Sequence, residues 1–291
     1  MIELSHWSAK GKLVEINGYN IFTIVDGDPK KPALVLIHGF PSASWDWEGV
    51  WEELVKHFYL ITLDMLGFGF SDKPKTSDYL ITEQADIFES FLDKIHIDSY
   101  HVLAHDYGDT VAQELLARQV KDTKHYNIKS VCLLNGGLFP ETHRPVLIQK
   151  LLLSPLGPLI SKLNSKSILS KNLHQIFGPN TPPCERVVDN FWSLLICNNG
   201  LSVMHKIIHY IKQRKEHRER WVGSLIDAQV QVKLIVGLLD PISGKHMTDR
   251  YRELIANPNI TELPLLGHYP QIENAKAVSN AYIAFRESIN N

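Results

Sequence analysis

The chain has 291 residues, 44% of them hydrophobic, with a formal net charge of −2 and a pI near 6.7. That length suits one large α/β domain or two modest ones, and a charge this balanced gives no reason to expect nucleic acid as a partner. The three cysteines, Cys132, Cys184 and Cys197, lack metal-type spacing, which argues against a disulfide framework or a zinc site.

The N-terminal stretch MIELSHWSAKGK has no apolar signal-peptide region. No uninterrupted apolar run reaches membrane-spanning length. The nearest, VLIQKLLLSPLGPLISKL (146–163), is broken by Lys, Ser and Pro, so there is no firm membrane signal. The expectation is a cytoplasmic protein of a reducing compartment. Cys132 lies in an apolar run and reads as a small core residue.

The first elements are two strands, KLVEI and YNIFTIV, flanking Asn17-Gly18, a strong hairpin signal. ALVLI (33–37) is a short continuous apolar run, as a strand buried on both faces requires. A helical pattern follows in DWEGVWEELVKHF, then the buried strand YLITLDM (59–65) and the Gly-rich loop LGFGFSDKP. ITEQADIFESFLDKI reads as a helix with Thr82 as N-cap and Glu83 and Asp86 near its positive end. YHVLAH (100–105) is the next strand, DTVAQELLARQV a helix, and IKSVCLLN (128–135) a strand. The alternation then stops until VKLIVGLL (232–239), helical YRELIAN, strand-like ITELPLL (260–266) and a last helix near AVSNAYIAFRESI.

Alternating strands and helices predict a mostly parallel sheet with helices on both faces. The interruption of roughly 90 residues is too long for a plain loop and reads as an inserted helical cap. The expected division is an α/β core of 1–135 and 226–291 with a cap (lid) of 136–225. Ligands in such sheets bind at the carboxyl ends of the strands, where a cap inserted after one of them would roof the site.

Four segments fall at strand ends: HGFPSASWDW (38–47), LAHDYGD (103–109), VGLLDPIS (236–243) and LLGHYPQIE (265–273). Together, in the order nucleophile, acid, histidine, they resemble the α/β-hydrolase superfamily over nearly the whole chain. Where that family has G-x-S-x-G, this chain has Ala104-His105-Asp106-Tyr107-Gly108. A Ser attacking saturated carbon would form an ether that water does not readily cleave. A carboxylate forms an ester, which water hydrolyses at the carboxyl carbon. Asp106 at the elbow therefore points to substitution at sp3 carbon, in an epoxide or an alkyl halide.

The resemblance implies His268 as the base for water and Asp240 as the acid that orients it. Glu141, after the strand ending near Asn135, is the alternative acid, because some dehalogenases place it there. The backbone N–H groups of Phe40 and Tyr107 are the family's oxyanion-hole positions. Taken singly, each residue has a plain structural reading: an N-cap for Asp106, a turn former for Asp240-Pro241, a hydrogen-bonded residue for His268. Asp109 reads as a carboxylate favoured by the helix N-terminus.

Haloalkane dehalogenases commonly supply N–H donors after the nucleophile and in the HGN position. Tyr107 and Phe40 carry none in their side chains. Epoxide hydrolases resemble HGFP-x5-W, matched here by His38, Phe40, Pro41 and Trp47, and donate a proton from two cap Tyr. Resemblance thus assigns His38, Pro41 and Trp47 to the substrate side. The cap offers one Tyr, Tyr210, on the apolar face of a predicted helix LSVMHKIIHYIKQRKEHRERW with Val203, Ile207 and Ile211. His205 and His209 are further candidates, more simply read as solvated. The run KQRKEHRER reads as a solvated cap face, with Glu216 and Glu219 spaced to pair with nearby Arg and Lys.

A narrower resemblance rests on GFGFSDKP, HDYGD, NGGLFPETHRP (135–145), YIKQRKEHRERWVG (210–223) and HYPQIE. These are similar to the mesoderm-specific transcript subfamily and its bacterial relatives, grouped with epoxide-hydrolase-like proteins. The expectation is an epoxide hydrolase-like enzyme without cofactor or metal, acting on a small hydrophobic organic substrate and water. The alternatives are a dehalogenase with an unusual halide site, a non-catalytic ligand-binding or scaffold member of the fold, and a cofactor-free oxygenase. Oligomeric state is not readable from the chain.

Overall fold

A computed structural model describes residues 3–121 and 127–290. Among them, eight strands form one sheet: β1 (Lys12–Ile16), β2 (Tyr19–Asp26), β3 (Ala33–Ile37), β4 (Tyr59–Leu63), β5 (Ser99–His105), β6 (Asn127–Leu134), β7 (Gln231–Gly237) and β8 (Asn259–Leu263). Their order is β1-β2-β4-β3-β5-β6-β7-β8. The β1–β2 hairpin turns at Asn17 and Gly18, both at positive φ, and β2 pairs antiparallel with β4. All other pairs are parallel. This is the mostly parallel α/β sheet that the apolar runs predict.

In the first half, helices α1 (Leu4–Lys10), α2 (Glu48–Leu54), α3 (Ile81–Lys94) and α4 (Tyr107–Lys121) flank the sheet. Between β6 and β7 come α5 (Leu147–Leu152), α6 (Gly157–Lys162), α7 (Lys166–Ile176), α8 (Glu185–Ile196), α9 (Met204–Ile207), α10 (Tyr210–Glu216) and α11 (Arg218–Ile226). The chain closes with α12 (Lys245–Leu254), α13 (Pro270–Glu273) and α14 (Ala275–Asn290). The strand expected over 260–266 ends at Leu263, before Pro264, which has no N–H to extend the ladder.

Two local expectations are corrected. Thr82 does not cap α3. The helix begins at Ile81, two residues earlier than a Thr82 cap would place it, and the Ile81 N–H donates to Gln213 Oε1 at 2.9 Å, so the cap comes from α10. The single helix expected over 201–221 is broken into α9, α10 and α11. The last break falls at His217, where φ −106° and ψ 20° leave the helical range. The breaks confine α10 to two turns, with Tyr210, Ile211, Gln213 and Arg214 all buried.

The parallel strands bring six loops to one rim, after Ile37, Leu63, His105, Leu134, Gly237 and Leu263. Ile37 pairs with Ala104, so the loop after β3 lies beside the turn after β5. The approach of α4 to β3 is close. A Cβ at Gly108 would fall 2.4 Å from the Ile37 carbonyl oxygen and 2.6 Å from that of His38. Backbone cannot move aside as a flexible side chain can. Gly108→Ala is therefore expected to destabilise the protein by about 1–3 kcal/mol or to prevent folding, read as a lowered midpoint in urea unfolding.

Candidate active site

Asp106 stands between β5 and α4 with φ +48°, a conformation that costs a non-glycine residue energy. Its N–H donates to the Leu134 carbonyl at 3.1 Å, and its own carbonyl accepts from the Asp109 N–H at 3.2 Å. Small neighbours permit the turn. A Cβ on Gly39 would lie 2.6 Å from His105 Nδ1 and 3.1 Å from the Asp106 Cβ. The carboxylate is almost fully buried, and its Oδ2 accepts the Phe40 N–H at 3.1 Å. Tyr107 opens α4, where the first N–H groups have no partner within the helix.

His268 follows β8. Its Nδ1 lies 2.8 Å from Asp240 Oδ2, and both side chains are buried. The His268 N–H and carbonyl are fixed too, to the Ile176 carbonyl and the His105 ring at 2.8 Å each. Burial opposes a charged imidazole, but Asp240, with further help from Asp106, overcomes it and lifts the His268 pKa to about 9. Burial likewise opposes ionisation of Asp240, yet His268 and the donors of Ile242 and Ser243 leave its pKa below the usual carboxylate range. Asn135 Nδ2 also donates to Asp240 Oδ2, at 3.0 Å. Asn135 is a supporting residue that sequence reasoning missed. Its signal was an Asn closing a buried strand before Gly-Gly.

Glu141, the alternative acid, is elsewhere. It accepts from Arg218 at 2.6 and 3.0 Å and from Arg250 at 3.2 Å. Arg218 above all holds its pKa down, at about 2. His38 is corrected as a substrate residue. Its Nδ1 donates to the Gly39 carbonyl at 2.8 Å and its Nε2 accepts the Met65 N–H at 3.0 Å, so both ring nitrogens serve the backbone. Burial pushes its pKa down to about 3. Trp47 is buried in a short 3-10 turn, Ser44–Trp47, and Pro41 follows a cis peptide bond. Pro41, Phe40, Phe68, Leu194, Met204 and Ile207 line a cavity of about 10 Å³, the volume of one water.

Tyr210 is fully buried, its ring 4.9 Å from that of Tyr107 and 6.1 Å from that of Phe40. Burial and the nearby Asp106 raise its pKa, so it keeps its proton. His209 is exposed and His205 half-buried.

The run KQRKEHRER is not simply a solvated face. Arg218 and Arg220 pair with Glu141 and Glu114. Arg214 turns inward and is only 3% exposed. Its Nη2 donates to the Asp106 carbonyl at 2.9 Å and lies 3.7 Å from Asp106 Oδ1. Its Nε donates to Thr110 Oγ1 at 2.7 Å, and its guanidinium lies 4.5 Å from the Tyr210 ring centre. Sequence reasoning missed Arg214. Its spacing from Tyr210 and Ile211, four and three residues, marks the same apolar face.

These contacts stand in a chain whose residues 32–275 match the family model described as alpha/beta hydrolase fold, and the chain belongs to that family. It is 41% identical to the mesoderm-specific transcript protein of Mus musculus, over 98% of this chain and 88% of that protein. It is 35% identical to LipZ of Mycobacterium tuberculosis, over 89% of each. In structure it is similar to the haloalkane dehalogenase DbeA from Bradyrhizobium elkani, with a TM-score of 0.81, 15% identity, and coverage of 96% and 98% of the two chains.

Asp109 corrects the reading of a carboxylate served by the helix N-terminus. It does lie in the first turn of α4, but it is fully buried. Burial first, then Asp106, hold its pKa well above the ordinary value. Protonated in the folded state, it favours folding fully only below the unfolded pKa of about 4. Above that, each pH unit up to the folded pKa costs about 1.4 kcal/mol. Asp109→Asn carries no such proton. Its stability in urea is expected to gain on the wild type as pH rises above 4, and parallel curves would refute the assignment.

Proposed function

We propose that this chain is a cofactor-independent hydrolase of the epoxide hydrolase type, with Asp106 as nucleophile. The observation that carries the reading is a buried carboxylate at the strand-to-helix elbow, held by a backbone N–H, near a histidine backed by a buried acid. The helices between Leu147 and Ile226 act as its cap.

Asp106 Oδ2 is engaged by the Phe40 N–H, which leaves Oδ1 to attack a ring carbon. The C–O bond of the epoxide breaks as the ester C–O bond forms. The departing alkoxide takes the proton of Tyr210. In the second step His268 removes a proton from water, which attacks the Asp106 carboxyl carbon. The Phe40 and Tyr107 N–H groups stabilise the charge on the carbonyl oxygen. Collapse releases the diol and restores the carboxylate, and the proton on His268 returns to Tyr210. The sum is epoxide plus water to diol.

Charge explains the order of steps. Asp106 is one of the groups that raise the His268 pKa. Alkylation removes that charge, so the imidazole loses its proton more readily once the ester exists. Ester hydrolysis should therefore rise with pH to a plateau, with a midpoint below about 9.

His268→Gln should trap the ester. The variant is incubated with a panel of epoxides and alkyl halides and its intact mass recorded, with Asp106→Asn as control. An epoxide adds its full mass; a halide adds its mass less hydrogen halide. An adduct mapped to Asp106 is the expected result. Turnover that survives in Asp106→Asn would overturn the reading.

A further inference from the structure

We infer that Arg214 and His143 form a subsite for a carboxylate carried by the substrate next to its reacting carbon. This deepens the proposed function and rests on it for the identity of the reacting carbon. The starting point is hydrogen bonding left undone. Among the described residues, Arg214 Nη1 is buried without a hydrogen-bond partner, and neither ring nitrogen of His143 has one. Buried polar groups are almost always paired, so the Arg214 Nη1 group and the one N–H of the His143 ring together call for an acceptor.

They lie together over Gly137. A Cβ at that position would be 2.4 Å from Arg214 Nη1 and 3.2 Å from His143 Nδ1. Only a residue without a side chain lets the guanidinium settle there. His143 is held neutral, with its pKa at about 3, by burial and then by Arg214. A neutral ring donates one N–H. The pair thus offers one permanent charge and several donors, a set that matches a planar carboxylate.

Geometry decides between a substrate carboxylate and a leaving group. In a displacement the leaving group departs on the side opposite the attacking oxygen. Arg214 flanks the nucleophile itself, bonded to the Asp106 carbonyl and 3.7 Å from Oδ1. A reacting carbon sits about 3–3.5 Å from its attacker, so a group attached to that carbon meets the guanidinium, whereas the leaving group points away. The substrate class is an epoxy acid with its carboxylate beside the ring.

Binding can be measured without any covalent step. Butanoate, butanamide and bromide are titrated into the wild type, Asp106→Asn, Arg214→Gln and Arg214→Lys, with Kd from calorimetry. Butanoate should bind the wild type at least tenfold more tightly than butanamide or bromide. It should bind more tightly still to Asp106→Asn, which removes a like charge, and should lose at least tenfold in Arg214→Gln, with partial rescue in Arg214→Lys. Equal binding of butanoate and butanamide, a preference for bromide, or no binding by the folded wild type would each overturn the subsite. The trapping experiment is separate: failure there with butanoate selectivity intact sinks the epoxide reading and leaves the anion site standing.

A second observation stands apart from the reaction. From Thr142 to Cys184 there is no Asp or Glu, while the segment carries one Arg and four Lys. On it Leu147, Leu151, Leu156, Leu159 and Leu163 are exposed, the first at 70%. Leu147 and Leu151 lie four apart on α5, Leu159 lies on α6 with Leu156 and Leu163 flanking it, and the two helices pack against each other. Lys150, Lys162 and Lys171 are exposed among them. An apolar patch ringed by one sign of charge marks an interaction site.

We propose that this face lies on an anionic lipid surface. Two copies meeting through it would set the exposed Lys150, Lys162 and Lys171 against one another, which disfavours a symmetric self-contact. Interfacial helices with Leu on one side and Lys around it bind such membranes. The full chain and a Leu159→Glu, Leu163→Glu double variant are sedimented with vesicles of phosphatidylcholine alone or mixed with phosphatidylglycerol. Wild type should pellet with the anionic vesicles, less so at high salt, and the double variant should stay in solution. Absence of wild-type binding, equal binding of both proteins, or a wild-type dimer in solution that the substitutions dissolve would overturn the proposal.

Discussion

Charge taken out of water must be answered by charge, and the centre of this fold is built around that constraint. Asp106, Arg214, Asp240 and His268 are each nearly free of solvent. Desolvating an ion costs several kcal/mol unless a partner and hydrogen bonds compensate. Asp240 has His268, Asn135, Ser243 and the Ile242 N–H. Asp106 has the Phe40 N–H and the guanidinium of Arg214. Asp109, with no cation of its own in contact, meets the same constraint by keeping its proton. Asp106 itself is among the groups that press Asp109 to keep that proton.

How the chain folds follows largely from local pattern. Period-two hairpins, doubly buried apolar runs and intervening amphipathic stretches suffice for the order of strands and helices, because each is decided by neighbours in sequence. The elbow motif and the Asp and His loops were legible for the same reason: strand ends in a parallel sheet share one rim. What escaped is what distant residues decide. The start of α3 depends on Gln213, 132 residues away. Arg214 sits in a run of charges, and composition alone reads such a run as solvated. Only its register with Tyr210 separates it from Lys212 and Lys215. Asn135 shows only as the residue closing a buried strand before Gly-Gly, and His143 carries no local pattern; their positions depend on where β6 ends relative to β7 and α10. Glu141 stood as the alternative to Asp240 because sequence places it after the right strand but cannot show that Arg218 and Arg250 claim it.

The helices between β6 and β7 pack on the core through rings such as Phe177 and Phe191 against Tyr269, and directional bonds, several of them from α10, add to that packing. Gln213 caps α3, and Arg214 reaches both Thr110 and Asp106. Nearby, Trp221 and Arg220 of α11 bind Glu114 of α4. Apolar packing would give adhesion without register. These directional bonds fix where Tyr210 lies over Tyr107 and Phe40, to within the tolerance of a hydrogen bond.

The void beside Phe40 has room for one water, and its walls come from both sides of the seam: Pro41 and Phe68 from loops at the strand ends, Leu194, Met204 and Ile207 from the helices between β6 and β7. The two surfaces therefore meet almost without slack, and a side chain enlarged on either one has nowhere to grow except by pushing the other away.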